Sequence, residues 1–241
     1  SQSTAGFLDG AFRIDHKLND KSSLFLSTYY RRDNYRFSSD TLYKWRTANA
    51  VLKYNYLIKD NLSSSISLIN SNYRYDVSLD ESANAFNLDY QIDYKSAKVD
   101  FGWSLGLHQV DFGASTILYT FSPGNLEPLS DESSLNPLNI QQEKNRESAV
   151  YLNDEFVLNS KITLMAGLRF SVFEVLGDRD VYSYFEGLPR RTFNITDTTS
   201  FNAGENITTY TGLEPRFSIK YGIGLNSSFK ASFNRMYQYV H

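Results

Sequence analysis

The feature that most constrains this chain is a strict alternation of side-chain polarity over residues 162–172. One parity holds Ile162, Leu164, Ala166, Leu168, Phe170 and Val172, and the other holds Thr163, Met165, Gly167, Arg169 and Ser171. Successive side chains of a strand point to opposite sides, so this pattern predicts a β-strand with one apolar face. Its length of about 11 residues is close to the roughly 9–11 that a tilted strand needs to cross a bilayer.

The same alternation recurs along the chain and predicts about ten strands. Short turns are expected near residues 20, 60, 107, 160 and 224, and long loops at about 33–43, 77–85, 122–146 and 177–208. Short and long connections alternate along the chain. All short turns are therefore expected at one end of the sheet, and all long loops at the other. Outer-membrane barrels have this layout, with short periplasmic turns and longer extracellular loops. Neither of the two longest loops is predicted to be helical. The Pro and Asp/Ser content of residues 122–146 predicts irregular structure, and the sequence leaves open a short excursion around Tyr182 to Leu188 within 177–208.

The fifth predicted strand, residues 86–105, changes phase in its middle. Apolar residues occupy even positions from Phe86 to Tyr94 and odd positions from Ala97 to Trp103. Either a β-bulge near Lys95-Ser96 or a tight hairpin at that point produces such a change. We favour the bulge, because a short turn at residues 106–108 then matches the other hairpins.

Average composition does not separate a soluble β domain from a membrane barrel. The mean hydropathy is −0.42, and no apolar run approaches the ~18 residues of a transmembrane helix. A barrel needs only every second residue apolar, so its average hydropathy stays low. The 18 Tyr, 17 Phe and 2 Trp suit the aromatic girdles of an outer-membrane barrel, and a Tyr-rich soluble domain remains an alternative.

Residue counts exclude several kinds of chemistry. The absence of cysteine rules out disulfides and thiolate catalysis, and histidines at 16, 108 and 241 are too scattered for a histidine metal cluster. A net charge of −3 argues against nucleic-acid binding, which favours a basic stripe. We therefore predict no catalytic residues, no cofactor and no metal ion. The chain starts without methionine and stops directly after a strand pattern, so we expect a piece of a longer protein.

Three stretches resemble a known family. Tyr151-Leu-Asn-Asp-Glu155 with Leu158 and Gly167-Leu-Arg169 resembles a hairpin signature in the barrels of TonB-dependent outer-membrane receptors. Residues 213–221 and 228–239 fit the same family. The resemblance implies that residues 1–241 form part of one antiparallel up-and-down transmembrane β-barrel domain. They would supply about ten of its roughly 22 strands, and no stretch of them resembles the plug domain.

The resemblance also implies a function and its partners. TonB-dependent receptors import nutrients such as siderophores, cobalamin, glycans or peptides across the bacterial outer membrane. Their partners are the plug domain of the same protein, the TonB complex, outer-membrane lipid including lipopolysaccharide, and in some members a surface lipoprotein lid. The residues alone leave two alternatives open. One is a self-contained ten-stranded outer-membrane porin or enzyme, and the other is a soluble β-sandwich binding module.

Candidate site residues follow from the strand faces. An Arg or Lys in a lipid-facing row would cost ~2–4 kcal/mol at the bilayer midplane, so the polar parity is expected to face the lumen. That face would carry Asp9, Arg13, Lys53, Arg169, Glu214, Arg216, Lys220, Lys230 and Asn234. Its mixed signs suggest ion pairs with an internal domain rather than an ion filter of one sign. In the last long loop, Arg190 and Arg191 are candidates for contact with an acidic ligand or lipopolysaccharide.

Overall fold

A computed structural model describes residues 3–36, 41–80, 83–130, 133–224 and 226–240. The described chain is built from strands with a single turn of 3₁₀ helix at Thr192–Asn194. The strands are β1 (Thr4–Asn19), β2 (Ser22–Arg36), β3 (Thr41–Lys59), β4 (Leu62–Leu79), β5 (Phe86–Leu105), β6 (His108–Pro128), β7 (Leu138–Asn139), β8 (Glu143–Asn159), β9 (Ile162–Leu176), β10 (Arg179–Tyr184), β11 (Ile195–Phe201), β12 (Asn206–Gly222) and β13 (Ser228–Asn234).

Ten long strands form one antiparallel sheet, in the order β1-β2-β3-β4-β5-β6-β8-β9-β12-β13. Each strand pairs with the next long strand of the chain, which confirms the predicted all-β, up-and-down architecture. The short β7 pairs with the end of β6, and β10 and β11 form a separate two-stranded hairpin. Among the described residues, β1 and β13 each pair on one side only.

The five short connections confirm the predicted turns. They lie at residues 20–21, 60–61, 106–107, 160–161 and 223–227, all at one end of the sheet. Side chains help to close them: the carboxamide oxygen of Asn19 accepts a hydrogen bond from the Lys21 N–H at 2.9 Å, and Asn159 does the same for Lys161 at 2.9 Å. Gly106 supplies the positive φ of 61° that its turn requires.

The long connections are shorter, or more ordered, than the sequence predicted. β2 runs to Arg36, and β6 runs to Pro128 before β8 begins at Glu143. Within 177–208, where the sequence left a short excursion around Tyr182 to Leu188 open, β10 pairs with β11. Parts of the predicted loops 33–43, 77–85 and 122–146 lie outside the described residues, at 37–40, 81–82 and 131–132.

The fifth strand contradicts the predicted bulge and also the hairpin alternative. β5 pairs with β4 in unbroken register, with Lys95 opposite Asn70 and Ser96 opposite Ile69. The only shift along β5 lies between Asp89 and Gln91, against β6. The backbone therefore does not change phase at Lys95-Ser96. What changes there is the polarity of the residues on each face.

The sheet is curved, and one of its faces is open to the surroundings. Lys17 of β1 and Arg216 of β12, at opposite sides of the sheet, line the same cavity, so the sheet curves around it. We call this face concave and the other convex. On the convex face Leu168, Phe170 and Phe217 remain 45%, 43% and 47% exposed. No second sheet covers them among the described residues, so the β-sandwich interpretation is wrong.

No helix within the described ranges has the length and apolar character needed to cross a membrane.

Candidate functional site

A band of apolar side chains, which we call the belt, runs across the strands on the convex face near the short turns. The cross-strand registers place the following residues on this face: Leu24, Leu26, Leu52, Tyr54, Tyr56, Ile66, Leu68, Val99, Phe101, Trp103, Phe112, Val150, Leu152, Leu164, Leu168, Phe170, Val172, Leu213, Phe217, Ile219 and Tyr221. On β9 the belt runs from Ile162, the cross-strand partner of Tyr221, to Val172, which is about 33 Å along the strand at ~3.3 Å per residue. After a tilt of roughly 40° this is close to the apolar band of an outer-membrane barrel.

Beyond the belt, toward the long connections, the polarity of both faces inverts. On β5 the convex positions change from Ala97 to Lys95 and Asp93, and the concave positions change from Lys98 to Tyr94 and Ile92. The adjacent strands also become polar beyond their apolar convex positions. On β3 Arg46 follows Ala48, and on β4 Leu68 is followed by Asn70, Asn72 and Arg74. The strands therefore leave one environment and enter another without any change of backbone geometry.

The concave face next to the belt encloses a charged cavity of about 940 Å³. The Tyr151 hydroxyl donates a hydrogen bond to the Asp100 carboxylate. The Lys98 ammonium lies 2.8 Å from the same carboxylate and 5.4 Å from the centre of the Tyr151 ring. Tyr151 thus reaches from β8 across β6 to β5 and fixes two charged side chains against the wall.

Arg169 of β9 is the centre of a second ionic cluster on the same face. Its guanidinium lies 2.9 Å from the Glu147 carboxylate and 3.6 Å from that of Glu214. Glu214 is buried and also accepts a hydrogen bond of 2.7 Å from the Ser171 hydroxyl. These two clusters therefore hold their charges in pairs of opposite sign, which limits the cost of removing them from bulk water.

Two glycines make room for these side chains. A Cβ on Gly113 would lie 2.3 Å from the Val99 carbonyl oxygen and 2.5 Å from the Tyr151 hydroxyl oxygen. A Cβ on Gly167 would lie 2.1 Å from the Asn153 side-chain oxygen. Residues with a side chain at either position would displace the polar groups that line the charged cavity.

Aromatic rings cover the concave face nearer the long connections. Trp45 stacks on Tyr43 at 6.1 Å and on Tyr75 at 5.3 Å, and Tyr75 stacks on Tyr90 at 6.0 Å. Tyr119 packs edge-on against Tyr94 at 5.5 Å and stacks on Phe121 at 5.7 Å. We call this group, defined by Tyr43, Trp45, Tyr75, Tyr90, Tyr94, Tyr119 and Phe121, the aromatic arc.

A second cavity, of about 740 Å³, adjoins the aromatic arc. Its walls include Tyr90, Phe121, Phe173 and Tyr210. Tyr239, after β13, stacks on Phe173 at 5.1 Å, and its hydroxyl lies 2.8 Å from that of Ser171. Aromatic walls with a few polar groups are typical of ligand pockets.

The structure separates the predicted lumen residues into two groups. Lys53, Arg169 and Arg216 line the charged cavity. The other six lie outside its lining, but the registers place them on the same face of the sheet: Asp9, Arg13, Glu214, Lys220, Lys230 and Asn234. At the edge of the sheet, Arg13 binds Asp15 at 2.7 Å, and Lys220 lies directly opposite Lys230.

Arg190 and Arg191 lie outside these clusters, in the connection between β10 and β11. Both are exposed, and the Arg191 carbonyl accepts a hydrogen bond of 2.8 Å from the Asn194 N–H. Phe185 and Phe193 nearby are 57% and 77% exposed. The tip of this hairpin therefore presents cations and aromatic rings together.

The sequence did not identify several residues that the fold brings together. Lys98, Asp100, Glu147 and Tyr151 share the parity of the polar face, but their pairing depends on register between strands that polarity alone does not give. The aromatic arc was missed because its rings share the apolar character expected of the lipid side. No group of three or more Asp, Glu or His side chains in the described part of the chain could hold a metal ion.

Solved structures resemble this fold at low sequence identity. The copper transporter OprC superposes with a TM-score of 0.69 at 8% identity, covering 96% of this chain and 37% of that one. The ferric citrate transporter FecA gives 0.68 at 12% identity, with coverages of 95% and 36%. The ferric-catecholate import receptor Fiu from E. coli K12 gives 0.63 at 12% identity, with coverages of 97% and 43%.

The chain thus spans between 36% and 43% of the length of these structures. A comparison with curated proteins gives no match. A family model described as "TonB dependent receptor-like, beta-barrel" matches residues 2–240. The curved meander, its apolar convex face and this match over the whole sheet lead to one conclusion: the chain belongs to the TonB-dependent receptor β-barrel family.

Proposed function

We propose that this chain forms part of the barrel wall of a bacterial outer-membrane active transporter that imports a nutrient. Further strands of the same protein would pair with the free sides of β1 and β13 and close a barrel of roughly 22 strands. An unpaired strand presents a row of free N–H and C=O groups, which is untenable in a bilayer. A self-contained ten-stranded porin or enzyme is disfavoured because β1 and β13 do not pair with each other.

The observation that carries this proposal is the opposition of an apolar convex belt and an ion-paired concave wall. The belt suits hydrocarbon, because its exposed side chains would otherwise stand in water. The concave wall suits an internal domain, because its charges occur in both signs. We propose that the plug domain of the same protein contacts this wall, with Lys53, Arg216, Lys220 and Lys230 available to its acidic groups.

The aromatic arc is the proposed substrate vestibule. Its rings lie on the concave face beyond the belt, where a ligand arriving from outside the cell would enter. Stacked aromatic rings bind flat or apolar faces of ligands such as siderophores, haem, sugars or hydrophobic peptides. The neighbouring cavity of about 740 Å³ falls in the size range of small-molecule pockets.

The hairpin of β10 and β11 is the proposed outer contact point. Arg190 and Arg191 at its tip would contact an acidic ligand, or lipopolysaccharide, and the exposed Phe185 and Phe193 would contact a surface lipoprotein lid. The TonB complex would engage the plug and not the residues described here. Each of these partners is inferred from family membership together with the chemistry of the exposed groups.

Uptake by the complete gene product tests the proposal. A strain that lacks the gene is grown on single nutrients: ferric siderophores, haem, cobalamin, oligosaccharides and peptides. One nutrient class should fail to support growth, and the gene should restore growth in a TonB-positive strain but not in a strain without TonB. Restoration without TonB would identify a passive pore and contradict the proposal.

Two variants with matched chemistry test the vestibule. Trp45→Ala with Tyr75→Ala removes a stacked pair from the aromatic arc, with centroids 5.3 Å apart. Tyr54→Ala with Tyr56→Ala removes a stacked pair from the convex belt, with centroids 6.4 Å apart. The first variant should raise the half-saturating nutrient concentration, and the second should leave it unchanged. Equal effects, normalised to the amount in the membrane, would assign no ligand role to the arc.

A further inference from the structure

Three arginines occupy directly opposed positions on the convex face, beyond the apolar belt and toward the long connections. On β4 the convex positions Asn70 and Asn72 lie between Leu68 of the belt and Arg74. Arg32 of β2 is the cross-strand partner of Arg46 of β3, and Arg46 is the partner of Arg74 of β4. Opposed side chains in a sheet have Cβ atoms about 4.5–5.5 Å apart, and like charges in such positions repel. We call Arg32, Arg46 and Arg74 the arginine row.

The surroundings of the arginine row add positive charge. Lys44 lies on the same face of β3, opposite Asp76, and it lines with all three arginines a cleft of about 400 Å³. Arg32 and Arg46 are exposed. The cleft, whose lining also includes the Asp76 carboxylate, therefore gathers four cations around a space that a small anionic group can enter.

The acidic residues on this part of the face do not neutralise the row. Asp76 is bound by Arg74 at 2.9 Å. Asp89 lies opposite Asp76 on β5, one strand farther from Arg32 and Arg46. Asp93 accepts hydrogen bonds of 2.7 and 2.8 Å from Asn72 and Gln91. The excess charge of the row is thus directed outward.

The other side of the same face shows how the chain compensates such cations. Arg146 of β8 lies opposite Glu174 of β9, and its guanidinium makes two hydrogen bonds of 2.6 and 2.8 Å to that carboxylate. Lys144 binds Asp178 at 2.6 Å. These two cations also follow the last apolar convex positions of their strand. The arginine row is in the same situation but has arginine where β9 has glutamate.

We propose that the arginine row binds the phosphate groups of a phosphorylated glycolipid, lipopolysaccharide, in the outer leaflet of the membrane. The proposal rests on the function proposed above, which directs the convex face to lipid. Headgroup phosphates lie outside the hydrocarbon layer, and the row likewise lies outside the belt, separated from it on β4 by the polar Asn70 and Asn72. Guanidinium groups bind phosphate oxygens through forked hydrogen bonds, and one doubly anionic headgroup would relieve the repulsion along the row.

Binding of lipopolysaccharide to the purified complete gene product in detergent tests the proposal. The test variant is Arg32→Gln with Arg46→Gln, and the control is Lys144→Gln with Arg146→Gln. Both remove two outward cations beyond the belt. The test variant should bind lipopolysaccharide at least tenfold more weakly than the parent, and the control should bind within twofold of it. Equal losses in both variants, or no loss in the test variant, would overturn the proposal.

Two further arms identify the source of the anion and guard against unfolding. Dephosphorylated lipopolysaccharide should bind the parent as weakly as the test variant binds intact lipopolysaccharide. Inorganic phosphate should not compete at equal concentration, and effective competition would assign the row to a free anion. Arg46→Lys should keep most of the binding. Without lipid the test variant should melt no lower than the parent, because it loses repulsion, and a lower melting temperature would count against the proposal.

The outcome also separates this inference from the function on which it rests. A gene product that is soluble without detergent would refute the membrane placement itself. A gene product that requires detergent, with parent, test and control variants binding lipopolysaccharide equally, would refute the arginine row alone.

Discussion

The half of the sheet next to the short turns and the half next to the long connections have opposite polarity. In the first half the convex face is apolar and the concave face is charged, as at Val99 and Lys98. In the second half the convex face carries Lys95 and Asp93, and the concave face carries Tyr94 and Ile92. One continuous strand supplies both halves. The comparison shows that polarity reports the surroundings of a strand, and that a change in polarity need not mean a change in backbone.

The largest predicted effect comes from a charge placed in the apolar half of the convex face. Leu168→Arg places a charge in the middle of the belt and should reduce the free energy of unfolding by ~2–4 kcal/mol. Thr120→Arg lies on the same convex face beyond the belt, opposite Asp93, and should cost ~0–1 kcal/mol. Urea titration of refolded protein in lipid vesicles, followed by heat-modifiable gel mobility, measures both. Equal losses would mean that no lipid layer distinguishes the two halves.

The second prediction concerns the charged half of the concave face. Arg169→Ala leaves the buried Glu214 without its cation and should cost about 2–3 kcal/mol. This is less than for a fully buried pair, because the Arg169 side chain is 22% exposed. The same titration measures the loss, and adding Glu214→Gln should recover part of it. Arg13→Ala, which removes an exposed ion pair with Asp15, should leave the unfolding curve unchanged, and a similar loss there would contradict the argument from burial.

The third prediction concerns the space beneath Tyr151. Gly113→Ala forces a Cβ against the Val99 carbonyl and the Tyr151 hydroxyl and should cost ~1–3 kcal/mol through overpacking. Gly10→Ala serves as the control, because a Cβ there meets nothing within 4 Å. The midpoint of urea unfolding should shift only for Gly113→Ala. Tyr151→Phe in the Gly113→Ala background should relieve part of the shift.

The smallest predicted effect concerns Asp178, in the connection after β9. The hydrogen bond from Lys144 holds the pKa of Asp178 below its usual range. A carboxyl with a lowered folded-state pKa stabilises the fold above its unfolded-state pKa, and that contribution is lost as pH falls through the folded-state value. Asp178→Asn should therefore lower the melting temperature slightly at neutral pH and not at all in acid below the lowered pKa. Because the Asp178 side chain is 60% exposed, a large shift of the melting temperature would contradict the assignment.

Much of the architecture could be predicted from the sequence because its determinants are local. Alternation of period two located the ten long strands, and turn residues such as Asn19 and Asn159 located the short connections. The change of phase in β5 was misinterpreted as a bulge, because the interpretation assumed that apolar residues always face lipid. The apolar residues at even positions from Phe86 to Tyr94 instead face the concave side, where the aromatic arc lies.

The candidate site could be predicted only in part, for a physical reason. Parity alone assigned Arg169, Arg216 and Lys53 to the polar face. Their partners depend on which residues stand opposite across neighbouring strands, and that register is set by turns and bulges along the whole sheet. The β10–β11 hairpin was missed because its strands are short and polar. Short polar strands carry no strong alternation.

The central claim is that the convex belt contacts lipid and that this contact ends where polarity inverts. Because the chain has no cysteine, single cysteines can be placed along β5 of the complete gene product, spin-labelled in lipid vesicles and tested for collisions with oxygen dissolved in the bilayer. We predict high oxygen accessibility at Ala97, Val99, Phe101 and Trp103, low accessibility at Lys98 and Asp100, and no lipid signal at Tyr90, Ile92 or Tyr94. A strong lipid signal at Tyr90, Ile92 and Tyr94 would contradict the account.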